Sequence, residues 1–372
     1  MDRDQRPRWT MPVYRPPDFH VEPLCSAPPV NLTPAPGDGV APEGFHATSN
    51  HPEYVHLGDG RWILVKESRM DCMLVVRGDK VTVKELRNLR AGDPVAVGVS
   101  EDGSEGLYVH CDGFSQPDVQ TGDKFAFRTR DTRETPFSAS YDKLYQLLRY
   151  ERDNGGYVCW VLGPAVAFDK DSRQVMQGLI ENGYCQALLA GNALATHDLE
   201  AAYFGTGLGQ DIYSRALKPR GHCHHLIVLN KARRAGSLRA LINELDTRDG
   251  IMAACERCNV PYVLAGSIRD DGPLPGVIAD AYEAQDAMRE HACRATTVVS
   301  LATQLHSIAF GNMTPSYQVM PDGTVRPVFF YIVDLSEFSA DKLANRGSTQ
   351  VRPIITNVQD FMVNLGRNLV AD

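Results

Sequence analysis

From residue 157 onward the chain repeats one device: a short, wholly apolar run that ends on glycine and then turns small or polar. The runs are YVCWVLGPA, YCQALLAGNA and VPYVLAGS, and ATTVVSL is a further short apolar run without the glycine. A strand with no polar face has water on neither side, which is the pattern of a sheet covered on both faces. Between the runs lie stretches with apolar residues at helical spacing and glycine stops, such as SRQVMQGLIENG and LRALINELDTRDGIMAACERC. Strands alternating with helices predict an α/β domain with a parallel, doubly wound sheet, here over residues 141–372. HLIVLN, at 225–230, reads as a further short strand of this set.

The preceding segment is built differently. YVHLGDGRWILV carries a Gly-Asp-Gly turn between two β-rich runs, CMLVVRGDKVTVKEL repeats the design, and LRAGDPVAVGV adds another turn and strand. Residues 44–140 are therefore expected to form a small β domain. Residues 1–43 hold ten of the chain's 23 prolines. Fixed φ and missing N–H donors exclude a helix or central strand there, so the segment reads as an extended arm, either disordered or laid over a neighbouring surface. At 141 the period changes, and YDKLYQLLRYERDNG reads as a helix stopped by Asn154-Gly155-Gly156.

Composition narrows the function. A net charge of −8 over 372 residues argues against a binder of nucleic-acid backbones. No apolar run approaches the eighteen or so residues of a membrane span, so no membrane partner is expected. The segment MDRDQRPRWTMPVY lacks the apolar core of a secretory signal, and nine scattered cysteines suit reduced thiols; both fit the cytoplasm. Cys255 and Cys258 form a CxxC near Gly221-His-Cys-His-His225, which raises zinc. They lie in a helix-like pattern where i and i+3 merely share a face, so no metal is expected.

The strand ends carry the candidate chemistry, because ligands of open parallel sheets bind beyond the carboxyl ends of the strands. Gly163, Gly191 and Gly266 permit close backbone approach there. Asn192 can donate to a phosphate or ribose oxygen, and Ala193 leaves room beside it. The loop SIRDDGPLP exposes Asp270 and Asp271; Thr303, Gln304 and His306 place hydroxyl, amide and imidazole at another strand end. FGTGLGQD does not match GxGxxG, so a dinucleotide site would be a variant one. His222, His224 and His225 stay ambiguous, since strand alternation would split His224 from His225.

HATSNHPEYV, LLAGNALATHDLEAAYFGTGLG, GHCHHL, VLAGSIRDDGPLPGVIADAYEAQDAMR and NRGSTQVRPIITNVQDF resemble blocks of the LOR/SDH-domain family. Its archaeal-type members are NAD-dependent ornithine cyclodeaminases, and the C-terminal half of the cyanobacterial arginine dihydrolase/ornithine cyclodeaminase is related. The resemblance spans about residues 45–369. It implies a Rossmann-like, deoxyhypusine synthase-like domain with NAD at the strand ends. By motif, the cofactor contacts fall on Asn192, Ala193, Asp271, Thr303, Gln304, Leu305, His306, Asp322, Asn345 and Arg346. Asp322 and Asn345-Arg346 follow from the resemblance alone, since PDG reads simply as a turn and NRGST as a polar loop.

The expected reaction turns ornithine or a related amino acid into a proline-type cyclic imino acid, releasing ammonia, with NAD recycled. A base must take the ammonium proton, for which Asp270 and His225 are candidates. Arg128 or Arg133 suits the substrate carboxylate, and Asn50 of TSN could assist. A homo-oligomer is expected. Two readings compete: an amino-acid or opine-type dehydrogenase with net redox turnover, and a non-catalytic NAD or amino-acid sensor. Phe168-Asp169-Lys170 stands where the family has a Val-His stretch, and arginines fill FAFRTRDTRETP. Both departures bear on the amino acid rather than on NAD, and they predict a shift in substrate preference away from ornithine.

Overall fold

The computed structural model describes residues 9–114, 137–245, 249–335 and 351–370. Contacts divide the chain into two units. The first is antiparallel β: β1 (Asn31–Pro34), β2 (Glu53–His56), β3 (Trp62–Leu64), β4 (Met73–Arg77), β5 (Lys80–Lys84), β6 (Pro94–Val97) and β7 (Leu107–Val109). Their orders are β1-β6-β4-β5 and β3-β2-β7. The Gly-Asp-Gly turn joins β2 to β3 because Gly58, Asp59 and Gly60 all have positive φ. Period-two alternation along β4 supplies two cores. Leu74 and Val76 pack with Val55, Val65 and Leu107, while Met73 and Val75 pack with Leu89 and Val95.

The described part of the proline-rich segment is not a free arm. β1 pairs with β6, Val30 and Ala35 enter the two cores, Tyr14 Oη lies 2.7 Å from Tyr54 Oη, and Phe19 stacks on Trp62. An edge strand tolerates the missing donor of Pro34, and a few well-placed apolar residues suffice to anchor it. Proline content alone could not reveal that.

The second unit begins with α1 (Phe137–Asp153) and continues β8 (Val158–Leu162), α2 (Lys170–Glu181), β9 (Ala187–Gly191) and α3 (Asn192–Phe204). A short hairpin of β10 (Thr206–Gly207) and β11 (Gln210–Asp211) follows. Then come α4 (His224–Ala235), α5 (Leu238–Glu244), α6 (Ile251–Cys258), β12 (Tyr262–Ala265), α7 (Ala281–Ala292), β13 (Thr297–Leu301) and α8 (Gln304–Met313). The chain re-enters the first unit for the hairpin β14 (Tyr317–Val319) and β15 (Val325–Pro327). It returns for β16 (Phe329–Asp334), β17 (Val351–Ile355) and α9 (Val358–Leu365). Residues 141–372 are thus not one uninterrupted domain, a detour that no local pattern encodes.

β8, β9, β12, β13, β16 and β17 form a six-stranded parallel sheet in the order β12-β9-β8-β13-β16-β17. Counted along the chain this is 3-2-1-4-5-6, the doubly wound Rossmann order, which reverses direction between β8 and β13. Both strands are buried throughout. HLIVLN is helical instead. It opens α4, with Val228 and Ala232 buried and Leu226 and Ile227 exposed, the one-sided burial of a surface helix. Its apolar run was too short for periodicity to decide, and the following KARRA carries the helix on.

Buried charges clamp the helices. Arg173 of α2 donates from Nε to Asp198 of α3 at 2.6 Å and pairs with Asp249. Asp198 also accepts the Ile251 and Met252 N–H groups, so one carboxylate caps α6.

Candidate active site

The carboxyl edge of the parallel sheet draws several elements together. After β8, Gly163 donates to the Leu301 carbonyl at 2.8 Å, and a Cβ there would overlap the Ala302 carbonyl oxygen. Only glycine lets these two loops meet where the strand order reverses. Ala302 has φ +48°, left-handed backbone that costs a non-glycine residue energy and turns the chain sharply from β13 into α8. Thr303, Gln304 and Ser307 there line a shallow crevice with Val333 and Asp334 at the end of β16. From α8, His306 reaches back toward β9, where a Cβ on Gly191 would stand 3.2 Å from its Cε1. Burial depresses the His306 pKa below the ordinary imidazole value, so it is neutral near pH 7.

Asn192 is the clasp of this edge. Its Nδ2 donates to Asp270 Oδ1 at 3.2 Å, and its Oδ1 accepts the Leu274 N–H at 3.1 Å. Asp270 Oδ2 accepts the Ser267 N–H at 2.8 Å. Both Asp270 oxygens therefore serve loop 266–276, which differs from the free proton acceptor expected there. Asp271, next in the chain, is exposed. α3 starts on Gly191 with no side-chain cap, whereas Asp169, Ser237, Asp280 and Asn357 cap α2, α5, α7 and α9. Among the described residues, the first N–H groups of α3 thus have no side-chain cap.

Among the sequence candidates, the structure gathers Asn192, Asp270 and His306 here. Ala193 is in the first turn of α3, and Leu305 is exposed on α8. Asp322 belongs to the first unit, where it accepts from Thr324 N at 2.9 Å and Oγ1 at 2.7 Å in the β14–β15 turn. Asn50 also belongs to that unit. It is buried, its backbone carbonyl accepts from Ser316, and its side-chain Oδ1 has no hydrogen-bond partner among the described residues. Arg128, Arg133, Asn345 and Arg346 lie outside the described residues.

His225 faces the His197 ring at 6.3 Å, and His224 stacks on Phe204. Helical rather than strand geometry lets both approach α3, so the expected split of the pair does not occur. His197 and Glu200 lie away from any strand end, and their three-residue spacing on a helix puts them on one face. His197 Nδ1 lies 2.8 Å from Glu200 Oε2. Phe168 meets the His197 ring edge-on at 4.9 Å, and Lys170 lies over the Tyr213 ring. Cys255 is buried in α6 and Cys258 exposed at its end; no group of three metal-binding side chains converges among the described residues.

A 3-2-1-4-5-6 sheet whose strand ends carry these loops defines a Rossmann-fold protein. The match to known families agrees: residues 142–365 fit the "arginine dihydrolase ArgZ-like, C-terminal, Rossmann fold" family, and residues 52–127 fit its "C-terminal, first region". The ornithine cyclodeaminase of Methanopyrus kandleri is 40% identical over 342 residues, 91% of this chain and 78% of that protein. A LOR/SDH protein of Methanococcus maripaludis has a similar crystal structure (TM-score 0.81, 34% identity, 92% of this chain and 98% of that one). AgrE, crystallised as a ternary complex with ornithine and NAD+, matches at TM-score 0.57 and 33% identity, covering 94% of this chain and 47% of AgrE. The chain belongs to the family of the archaeal ornithine cyclodeaminases and the C-terminal region of ArgZ. No helix among the described residues is long and apolar enough to cross a membrane.

Proposed function

We propose that the chain is an NAD-dependent ornithine cyclodeaminase, an ammonia-lyase that releases proline and ammonia and regenerates its cofactor. The observation that carries this reading is the meeting of Gly191, Asn192, Asp270 and His306, from three strand ends, beside the point where the strand order reverses. The relatives' names, and the ornithine and NAD+ bound by AgrE, supply the reaction.

The residues present fit a dinucleotide. The uncapped first turn of α3 offers N–H groups to a phosphate. Asn192 holds loop 266–276 so that the exposed Asp271 can accept from ribose hydroxyls. Thr303 and Gln304 add a hydroxyl and an amide, and His306 a neutral ring. When bound, the nicotinamide supplies the two-electron oxidation at the substrate Cα and the later reduction of the cyclic product. The protein's task is to orient the amino acid and move its protons. Asn50, whose buried Oδ1 lacks a partner among the described residues, is our proposal for a contact with the amino acid. Arg128 and Arg133 are proposed for its carboxylate, and Asn345, Arg346 and Asp322 for the cofactor. Phe168, packed on His197, makes that surface less polar than a histidine would, so we propose that ornithine competes with related amino acids. Product analysis with ornithine and NAD tests the reading: proline and ammonia support it, and an accumulated oxo acid with NADH favours a dehydrogenase.

A further inference from the structure

Glu200 is wholly buried, and its carboxylate is saturated. It accepts from His197 Nδ1 at 2.8 Å, Thr206 Oγ1 at 2.8 Å, Leu208 N at 3.2 Å and Gly209 N at 2.9 Å. A carboxylate has about four good acceptor positions, and donors occupy all of them. Burial alone would raise its pKa, but the bonds from His197, Gly209 and Thr206 outweigh it and hold the group ionised. An ionised acceptor fixes its histidine: His197 must carry its proton on Nδ1, which leaves the Nε2 lone pair open. Nε2 has no hydrogen-bond partner among the described residues, and the side chain keeps 11% exposure. The groups facing the ring are His225 from α4 and the uncharged Phe168 from the loop after β8. Thr206, which donates to Glu200, also lies 2.8 Å from His224 Nδ1, so His224 is tied to the same carboxylate. Asp198, the next residue, points instead to Arg173 and the start of α6.

Resting on the cyclodeaminase reading, we propose that His197 is the catalytic proton acceptor and Glu200 its positioning residue. One N–H bond of the substrate α-ammonium breaks as an Nε2–H bond forms. Glu200 stabilises the resulting imidazolium, and the same proton returns to the amine that leaves as ammonia, so no proton is gained or lost over the cycle. A carboxylate that fixes tautomer and orientation without itself taking the proton is a familiar use of such a pair.

The test joins kinetics to a spectrum that needs no turnover. Wild type, His197→Gln and Glu200→Gln are assayed with ornithine and NAD across pH, and imidazole nitrogens are followed by NMR in the wild-type protein. His197→Gln is expected to lower kcat at least 100-fold, with the ornithine KM and NAD Kd within threefold. Glu200→Gln, if it folds, shifts the acid limb of kcat/KM to lower pH, because the histidine loses its anionic neighbour. The spectrum should show His197 protonated on Nδ1. If active wild type is matched within threefold by His197→Gln, or His197 carries its proton on Nε2, the assignment is overturned while the cyclodeaminase reading stands. Wild type inert with ornithine and NAD overturns both.

Discussion

Replacing Asn192 with alanine cuts both ends of a clasp. The donor to Asp270 goes, a hydrogen bond to a charged acceptor worth about 1.5–3 kcal/mol. The Leu274 N–H, on a residue only 2% exposed, loses its acceptor and bears a desolvation cost of about 1–3 kcal/mol. At 3.2 and 3.1 Å neither bond is short, so the lower halves of these ranges apply. Together they give about 2.5–4 kcal/mol. Most of it should appear as local opening of loop 266–276, since the sheet beneath does not depend on Asn192. Hydrogen exchange of the Leu274 amide should therefore accelerate about 60- to 1000-fold, and NAD Kd should rise at least tenfold, with Tm falling only a few degrees. An unchanged Leu274 exchange rate in Asn192→Ala would refute the clasp.

Asp271→Ala should weaken NAD binding by about 1–3 kcal/mol in calorimetry, the range for a charge-assisted pair with ribose hydroxyls. Deleting residues 1–43 should lower the melting temperature sharply or prevent folding, because β1, Val30 and Ala35 go with them; an unchanged Tm would show that these contacts are dispensable. Asp198→Ala should destabilise the fold in denaturant unfolding toward the lower end of the about 3–5 kcal/mol expected for breaking a buried ion pair, since Arg173 keeps its pairing with Asp249. Glu200, with its pKa lowered in the folded state, adds stability in full above its unfolded value and loses it as pH falls through the folded one. The Tm gap between wild type and Glu200→Gln should thus shrink in acid; a gap that widens would reverse the sign.

The parallel sheet was legible because strands with no polar face cannot belong to a half-exposed sheet, and the three glycines mark its carboxyl edge. Asn192 and His306 could be chosen from strand ends alone. What they bind to could not: the clasp joins residues 78 and 82 apart in sequence. HLIVLN misled because an apolar tetrad satisfies strand and helix alike. The partners of Asp270 were equally hidden, since one oxygen accepts from Asn192 on α3 and the other from Ser267 within its own loop. Glu200 went unnoticed because its partners, a threonine hydroxyl and two loop N–H groups beyond the helix end, become visible only when β10 folds back on α3.

On the proposed function, this Rossmann edge oxidises and then re-reduces one amino acid on the same cofactor. The direct measurement is a simultaneous assay of proline, ammonia and NADH with purified protein, ornithine and a small amount of NAD. Proline and ammonia should form in equal amounts, with many turnovers per NAD and no net rise in NADH. One NADH formed per substrate consumed, with an oxo acid and no proline, would contradict it.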